Sequence, residues 1–273
     1  MVVIKGKKPH VLAVPLPFQG HVKPLMKLCR QIAKHGIKVT FVNIQSVHEK
    51  LLAAAKMSDE DEELGNIVLT SIPDGRSPED VDENDSVKLL EALRITMPGY
   101  LTELIERINS SNDDEKISCV ITDITMGWIL ETAEKMGAEP VAFSPPSAAV
   151  VAIALHIPKL IEKGYTDSNG SITKGDQIIR LSENMPAWRS NELSWSFAPH
   201  LETQKWEIGL RINPDENGIR TKEEIKTKIE MLFSNNNLKK NALTMKEMTM
   251  KSVSEGGSSY KNFEKFIDHL REG

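Results

Sequence analysis

One histidine and one aspartate, 102 positions apart, have the residue types and surroundings needed for proton transfer. His21 lies in Pro15-Leu16-Pro17-Phe18-Gln19-Gly20-His21-Val22-Lys23-Pro24. This segment follows the apolar, valine-rich run His10 to Val14 and precedes a stretch in which Leu25, Leu28, Ile32 and Ala33 recur at helical spacing. The pattern predicts strand, tight loop, helix. Proline is tolerated in a first helical turn, so the helix is expected to start near Val22 or Lys23. His21 then sits at its positive end, where a proton on the imidazole is disfavoured. A neutral imidazole at the carboxyl end of a strand, in the crevice where open α/β sheets bind ligands, is suited to act as a general base. The other use of such a residue is simply to cap its helix.

The second group, Asp123, stands at the tip of a strand expected over Ile117 to Ile121. Strand and helix patterns alternate from the first strand onward. Ile37 to Ile44 reads as a second strand, Val47 to Met57 as a helix and Ile67 to Ile72 as a third strand ending at Pro73-Asp74-Gly75. A helical run through Leu89, Leu93, Leu101, Leu104 and Ile108 stops at Asn109-Ser110-Ser111-Asn112, and the helix Trp128 to Met136 leads to a fifth strand, Pro140 to Phe143. An apolar helix, Ala148 to Ile161, follows Pro145-Pro146. The fold class is α/β, a Rossmann-like doubly wound parallel sheet. In strand order 3-2-1-4-5 the first and fourth strands are neighbours at the switch point, which brings His21 and Asp123 together. A carboxylate bonded to one ring nitrogen fixes the tautomer, turns the other nitrogen to the crevice and stabilises an imidazolium. A strand-end aspartate also commonly caps the helix that follows, and the sequence leaves both roles open.

Composition narrows the possibilities. The 273 residues, 40% of them hydrophobic, can supply a sizeable core. A net charge of -5 gives no basic field for nucleic acid. No apolar run reaches membrane-spanning length and no signal peptide is read, so a cytoplasmic protein with no membrane partner is expected. Cys29 and Cys119 lack metal-ligand spacing and read as buried thiols in a reducing compartment. The first turn holds one glycine, Gly20, rather than G-x-G-x-x-G, and no Walker box or G-x-S-x-G elbow occurs. Nicotinamide, flavin, P-loop and serine-hydrolase chemistry are therefore disfavoured.

Pro-Leu-Pro-Phe-Gln-Gly-His at 15–21, Gly36 followed by Val39-Thr40-Phe41-Val42, and Cys119-Val120-Ile121-Thr122-Asp123 with Gly127-Trp128 resemble the amino-terminal half of plant secondary-product UDP-glycosyltransferases, family 1 with the GT-B fold. The resemblance runs from about His10 to Trp206. It implies a Rossmann-like acceptor domain facing a second domain that holds the UDP-sugar. It further implies that His21 is the base removing the proton of an acceptor hydroxyl as that hydroxyl attacks the anomeric carbon with inversion, and that Asp123 is its partner. Gln19, Phe143 and Ser144, with Met185 to Trp195, are expected on the acceptor side, and Gly20 on the co-substrate side. Many relatives carry tryptophan where Ser144 stands, which implies a more open or more polar wall. No metal and no cofactor are expected; the partners are a small phenol or alcohol and the UDP-sugar.

Ile208-Gly209-Leu210-Arg211-Ile212, Pro214 to Gly218 and Ser252 to Tyr260 are similar to the family's closing segment, whose last helix crosses back onto the first domain. Thr221 and Glu224 form a capping box for one helix of this region. The donor signature, a box beginning Trp-Ala-Pro-Gln and containing His-Cys-Gly-Trp-Asn-Ser, has no counterpart. Residues 1–206 are thus expected to be the acceptor domain, and 207–273 a truncated, mainly helical remnant of the donor domain. The alternative to an active hexosyltransferase is a catalytically silent form that binds a small acceptor or pairs with a full-length relative.

Overall fold

The computed structural model describes residues 8–55, 65–76, 85–111, 115–146, 148–168, 171–175, 177–181, 187–189, 210 and 212–272. The chain divides into two compact units, Met1–Pro145 with Phe263–Gly273, and Pro146–Asn262. The expected domain boundary at 206/207 lies outside the described residues.

The first unit runs β1 (His10–Val14), α1 (Gln19–Lys34), β2 (Lys38–Ile44), α2 (Gln45–Ala55), β3 (Ile67–Ile72), α3 (Ser86–Ser111), β4 (Cys119–Asp123), α4 (Gly127–Lys135) and β5 (Glu139–Phe143). Its sheet is parallel throughout, in the order β3-β2-β1-β4-β5. This is the order expected from the alternating pattern. Both faces of such a sheet are covered, so successive strand residues enter different cores. Leu12, Val14, Val42 and Ile44 pack with α3 and α4 residues such as Leu93, Leu101 and Ile129. Val11, Ala13, Val39 and Phe41 pack with Leu25, Cys29 and Ile32 of α1. Cys29 and Cys119 are buried free thiols, and burial pushes both up to about 12, which leaves them unreactive.

The α3 helix ends at Ser111, within the predicted Asn109-to-Asn112 stop, where the hydroxyls of Ser110 and Ser111 bond back to the Glu106 and Ile108 carbonyls at 2.8 and 2.7 Å. Two boundaries differ from the sequence reading. The Asn109 side chain accepts the Ile117 N–H at 2.8 Å, and β4 begins only at Cys119 and ends on Asp123. The start of α1 is the second difference and is described with the site.

His10 opens β1 with both ring nitrogens engaged, one to the Glu115 carbonyl and one to the Thr40 hydroxyl, each at 2.8 Å. A carbonyl only accepts, so Nδ1 donates to it and Nε2 accepts from Thr40. Burial holds the ring's pKa below the ordinary histidine value. Gly75 follows β3 with φ +77, and a Cβ there would lie 2.2 Å from the Thr96 hydroxyl of α3. Gly75→Ala therefore combines a left-handed alanine with an overpacked contact. It is expected to destabilise the first unit by about 2 kcal/mol or more, read from the urea midpoint.

In the second unit, α5 (Ala148–Glu162) is followed by the short antiparallel pair β6 (Ile178–Ile179) and β7 (Trp188–Arg189), then by α6 (Lys222–Ser234) and α7 (Asn236–Val253). Among the described residues of 212–272 there is no strand. Thr221 caps α6 by accepting the Glu224 N–H at 3.2 Å. The Glu224 carboxylate accepts from the Asn213 N–H at 3.0 Å, so half of the predicted capping box has been redirected. No helix of the described residues is long and apolar enough to cross a membrane.

The final helix, α8 (Ser258–Glu272), belongs to the first unit from Phe263 onward. Ile267 and Leu270 are buried in the same cluster as Leu25 and Ile32. Arg271 donates to the His35 carbonyl at 3.1 Å, and Phe263 meets the His35 ring edge-on at 5.6 Å. His269 and Glu139 pair at 2.6 Å, and the carboxylate raises the histidine's pKa. A raised value means the pair's contribution is complete below the unfolded pKa near 6.5 and is lost as pH rises through the folded one. Amide protection in α8, after correction for the intrinsic base-catalysed exchange rate, is therefore expected to fall as pH rises above 6.5 in the native chain, and to change less with pH in His269→Gln.

Candidate active site

The site is built by chain reversal at the tips of β1 and β4. Pro15 and Pro17 cannot extend the strand ladder, so β1 stops at Val14. The Phe18 N–H turns back onto the Leu16 carbonyl at 2.7 Å. Phe18 is the N-cap of α1, with extended backbone and no side-chain cap, and its carbonyl accepts the N–H groups of His21 and Val22 at 2.8 and 2.9 Å. The helix thus starts at Gln19, three residues before Val22, and Pro24 sits inside it, one turn further along than expected. At this position proline cannot donate to the Gly20 carbonyl one turn back, so the helix carries it at the loss of one backbone bond. His21 faces the crevice from the first turn.

On the neighbouring strand, the Thr122 hydroxyl donates to the Val14 carbonyl at 3.0 Å and ties the two tips together. Asp123 follows, with its side chain 1% exposed. Its Oδ2 lies 2.6 Å from His21 Nδ1, and its Oδ1 accepts the Thr125 N–H at 3.0 Å and the Thr125 hydroxyl at 2.7 Å. Both roles left open by the sequence are therefore filled together, one oxygen each. Asp123 caps the single 3-10 turn Ile124–Met126 and also holds the imidazole. A carboxylate can only accept, so Nδ1 carries the proton and Nε2 presents a lone pair. The histidine side chain is 26% exposed while its partner is buried. The accessible edge is thus the one turned away from Asp123, which is Nε2.

An open cavity of about 530 Å³ lies at the carboxyl ends of β1, β2 and β3, reached from the His21 loop only through Pro17 and Phe18. Phe18, Val47 and Tyr100 give it apolar walls, and Gln45, Asp74 and Arg76 give it polar ones. Arg76 grips Asp74 through Nε at 3.1 Å and Nη2 at 2.7 Å. The volume is that of a small-molecule site.

Of the residues singled out from the sequence, His21 and Asp123 are brought together. Gln19 and Gly20 are exposed in the first turn of α1, beside His21. Phe143, the last residue of β5, is half-buried and packs against the α1-side core, and Ser144 follows it, half-buried. None of these six lines the cavity. Of Met185 to Trp195, only 187–189 are described, and Trp188 is buried among Leu160 and Ile179. The sequence reading missed Thr125 and the Asp74–Arg76 wall. The first carried a signal, a threonine two residues after a strand-end aspartate. The second was read only as a turn.

The five-stranded parallel sheet in the order β3-β2-β1-β4-β5 has the architecture of a GT-B Rossmann-like amino-terminal domain. The family model described as "Glycosyltransferase, N-terminal domain" matches residues 8–163. UDP-glycosyltransferase 83A1 of Arabidopsis thaliana is 36% identical over 200 residues, 72% of this chain and 43% of that protein. The 7-deoxyloganetin glucosyltransferase of Catharanthus roseus is 32% identical over 198 residues, 69% of this chain and 40% of that protein. Among solved structures, Os79 from O. sativa in complex with U2F and trichothecene has a TM-score of 0.66 at 14% identity, covering 95% of this chain and 100% of that chain. Arabidopsis thaliana UGT89C1 complexed with quercetin also has a TM-score of 0.66, at 15% identity, covering 97% and 100%. At such identities these two likenesses speak to the fold.

The chain belongs to the plant UDP-glycosyltransferase family. It spans less than half the length of the curated relatives it matches.

Proposed function

We propose that this chain supplies the acceptor side of a UDP-glycosyltransferase, with His21 as general base and Asp123 as its orienting partner. The reaction moves a hexose from a UDP-sugar to a hydroxyl of a small plant metabolite. His21 Nε2 takes the hydroxyl proton as the oxygen bonds to the anomeric carbon. The bond from that carbon to the diphosphate breaks, UDP leaves with the electron pair, and the configuration inverts. The observation that carries this reading is the 2.6 Å bond from His21 Nδ1 to a buried carboxylate, which presents Nε2 as a free acceptor and stabilises the imidazolium formed. A cavity of small-molecule size opens one loop away, lined by Phe18 but not by His21 itself. No cofactor or metal enters the scheme, and the UDP-sugar is the co-substrate.

The test is glycoside formation by the purified chain from a UDP-hexose and a panel of plant phenols, with donor binding followed by calorimetry. A second reading, a silent binder of an acceptor or of a full-length relative, draws on two observations. The donor box is absent from the sequence, and apolar residues of α6 and α7 are exposed, Phe233 by 85%. A phenol that raises the melting temperature, with no donor binding and no product, selects this second reading.

A further inference from the structure

We propose that Thr125 is a positioning residue for the His21–Asp123 pair, a role that rests on the reading of His21 as base. Among the described residues Asp123 is held by three donors, and two of them come from Thr125. The N–H at 3.0 Å and the hydroxyl at 2.7 Å converge on Oδ1, while His21 Nδ1 holds Oδ2 at 2.6 Å. A carboxyl group turns about the bond to its carbon through a broad, nearly two-fold well, so one donor on each side leaves its plane loosely set. A second donor on Oδ1 fixes that plane, and Oδ2 is then presented to the imidazole. The Thr125 N–H alone caps the 3-10 turn. The hydroxyl adds nothing to the cap that the backbone does not already supply, and its one described partner is the carboxylate oxygen.

The geometry also fixes the direction of control. Thr122 ties β4 to β1 through the Val14 carbonyl and sets where Asp123 begins. Thr125, two residues beyond, sets how its carboxylate is turned. Between them the two threonines locate a group that reaches His21 from a separate strand. Asp123 is 1% exposed, so water has little room to replace a lost donor.

The experiment uses the whole chain with ¹⁵N-labelled histidine. The His21 Nδ1 proton, in a 2.6 Å bond to a carboxylate, is expected as a slowly exchanging resonance downfield of ordinary imidazole protons. In Thr125→Val it should move upfield and exchange at least 10-fold faster, and in Thr125→Ser it should return. In any form that turns over, kcat should fall 10- to 100-fold in the valine variant, with KM for the acceptor changed less than 3-fold and serine restoring the rate. Thr125→Ala, which only removes atoms, carries the same test if the valine variant does not fold. A resonance and a rate unchanged in valine and alanine variants that melt normally would overturn the inference. That outcome is separable from failure of the base assignment, which would appear as full turnover in His21→Ala.

Discussion

Replacing His21 by alanine is expected to lower glycoside formation by ~10²- to 10⁴-fold, the usual contribution of a positioned base. The effect should fall on kcat, because the lost group acts on a proton that moves only as the new bond forms. The fold should survive. His21 lies in the first turn of α1 with its side chain 26% exposed, so water can enter the space left by the ring and reach Asp123 Oδ2. A melting temperature within a few degrees of the parent, with product lost, is the expected pair of observations. Unchanged product would remove the base assignment outright.

Asp123→Asn should be nearly as damaging as removing the histidine, although it changes a single group. The asparagine oxygen is drawn to Thr125, which offers two donors at 3.0 and 2.7 Å. The amide nitrogen then faces His21 Nδ1 and donates to it, so the ring must carry its proton on Nε2. A base protonated on its working nitrogen cannot accept a proton. The opposite amide orientation sets an NH₂ group against the N–H and hydroxyl of Thr125 and leaves donors opposed in a buried pocket. Either way a loss of ~10²-fold or more is expected. The double variant His21→Ala with Asp123→Asn should be no slower than His21→Ala alone, because the two residues act as one unit. Multiplied losses in that cycle would show that Asp123 acts by some other route.

Much of this arrangement was legible before any coordinates. Short continuous apolar runs and period-3.6 patterns mark the strands and helices of the sheet unit, and the proline-bracketed loop marks where its chemistry can sit. The strand order expected was the common 3-2-1-4-5 of doubly wound sheets, and with it came the meeting of residues 102 positions apart. What stayed hidden depends on side-chain competition. Ile117 looks like the first residue of a strand, yet its N–H is spent on the Asn109 side chain and β4 starts only at Cys119. Pro24 looks like a first-turn residue, yet the Phe18 carbonyl had already nucleated the helix at Gln19. The Asp74–Arg76 wall joins neighbours two residues apart, and a turn motif does not reveal that their charges face a cavity.

The docking of α8 has a consequence for biosynthesis. Ile267 and Leu270 fill the same core as α1, one of the first elements to be made. Chains fold largely as they emerge from the ribosome, amino terminus first. The five strands can pair while synthesis continues, but the α1 face keeps an open furrow until Phe263 and the residues after it arrive. The nascent sheet thus waits, with greasy surface uncovered, for a segment encoded some 250 codons after the strand it will shelter.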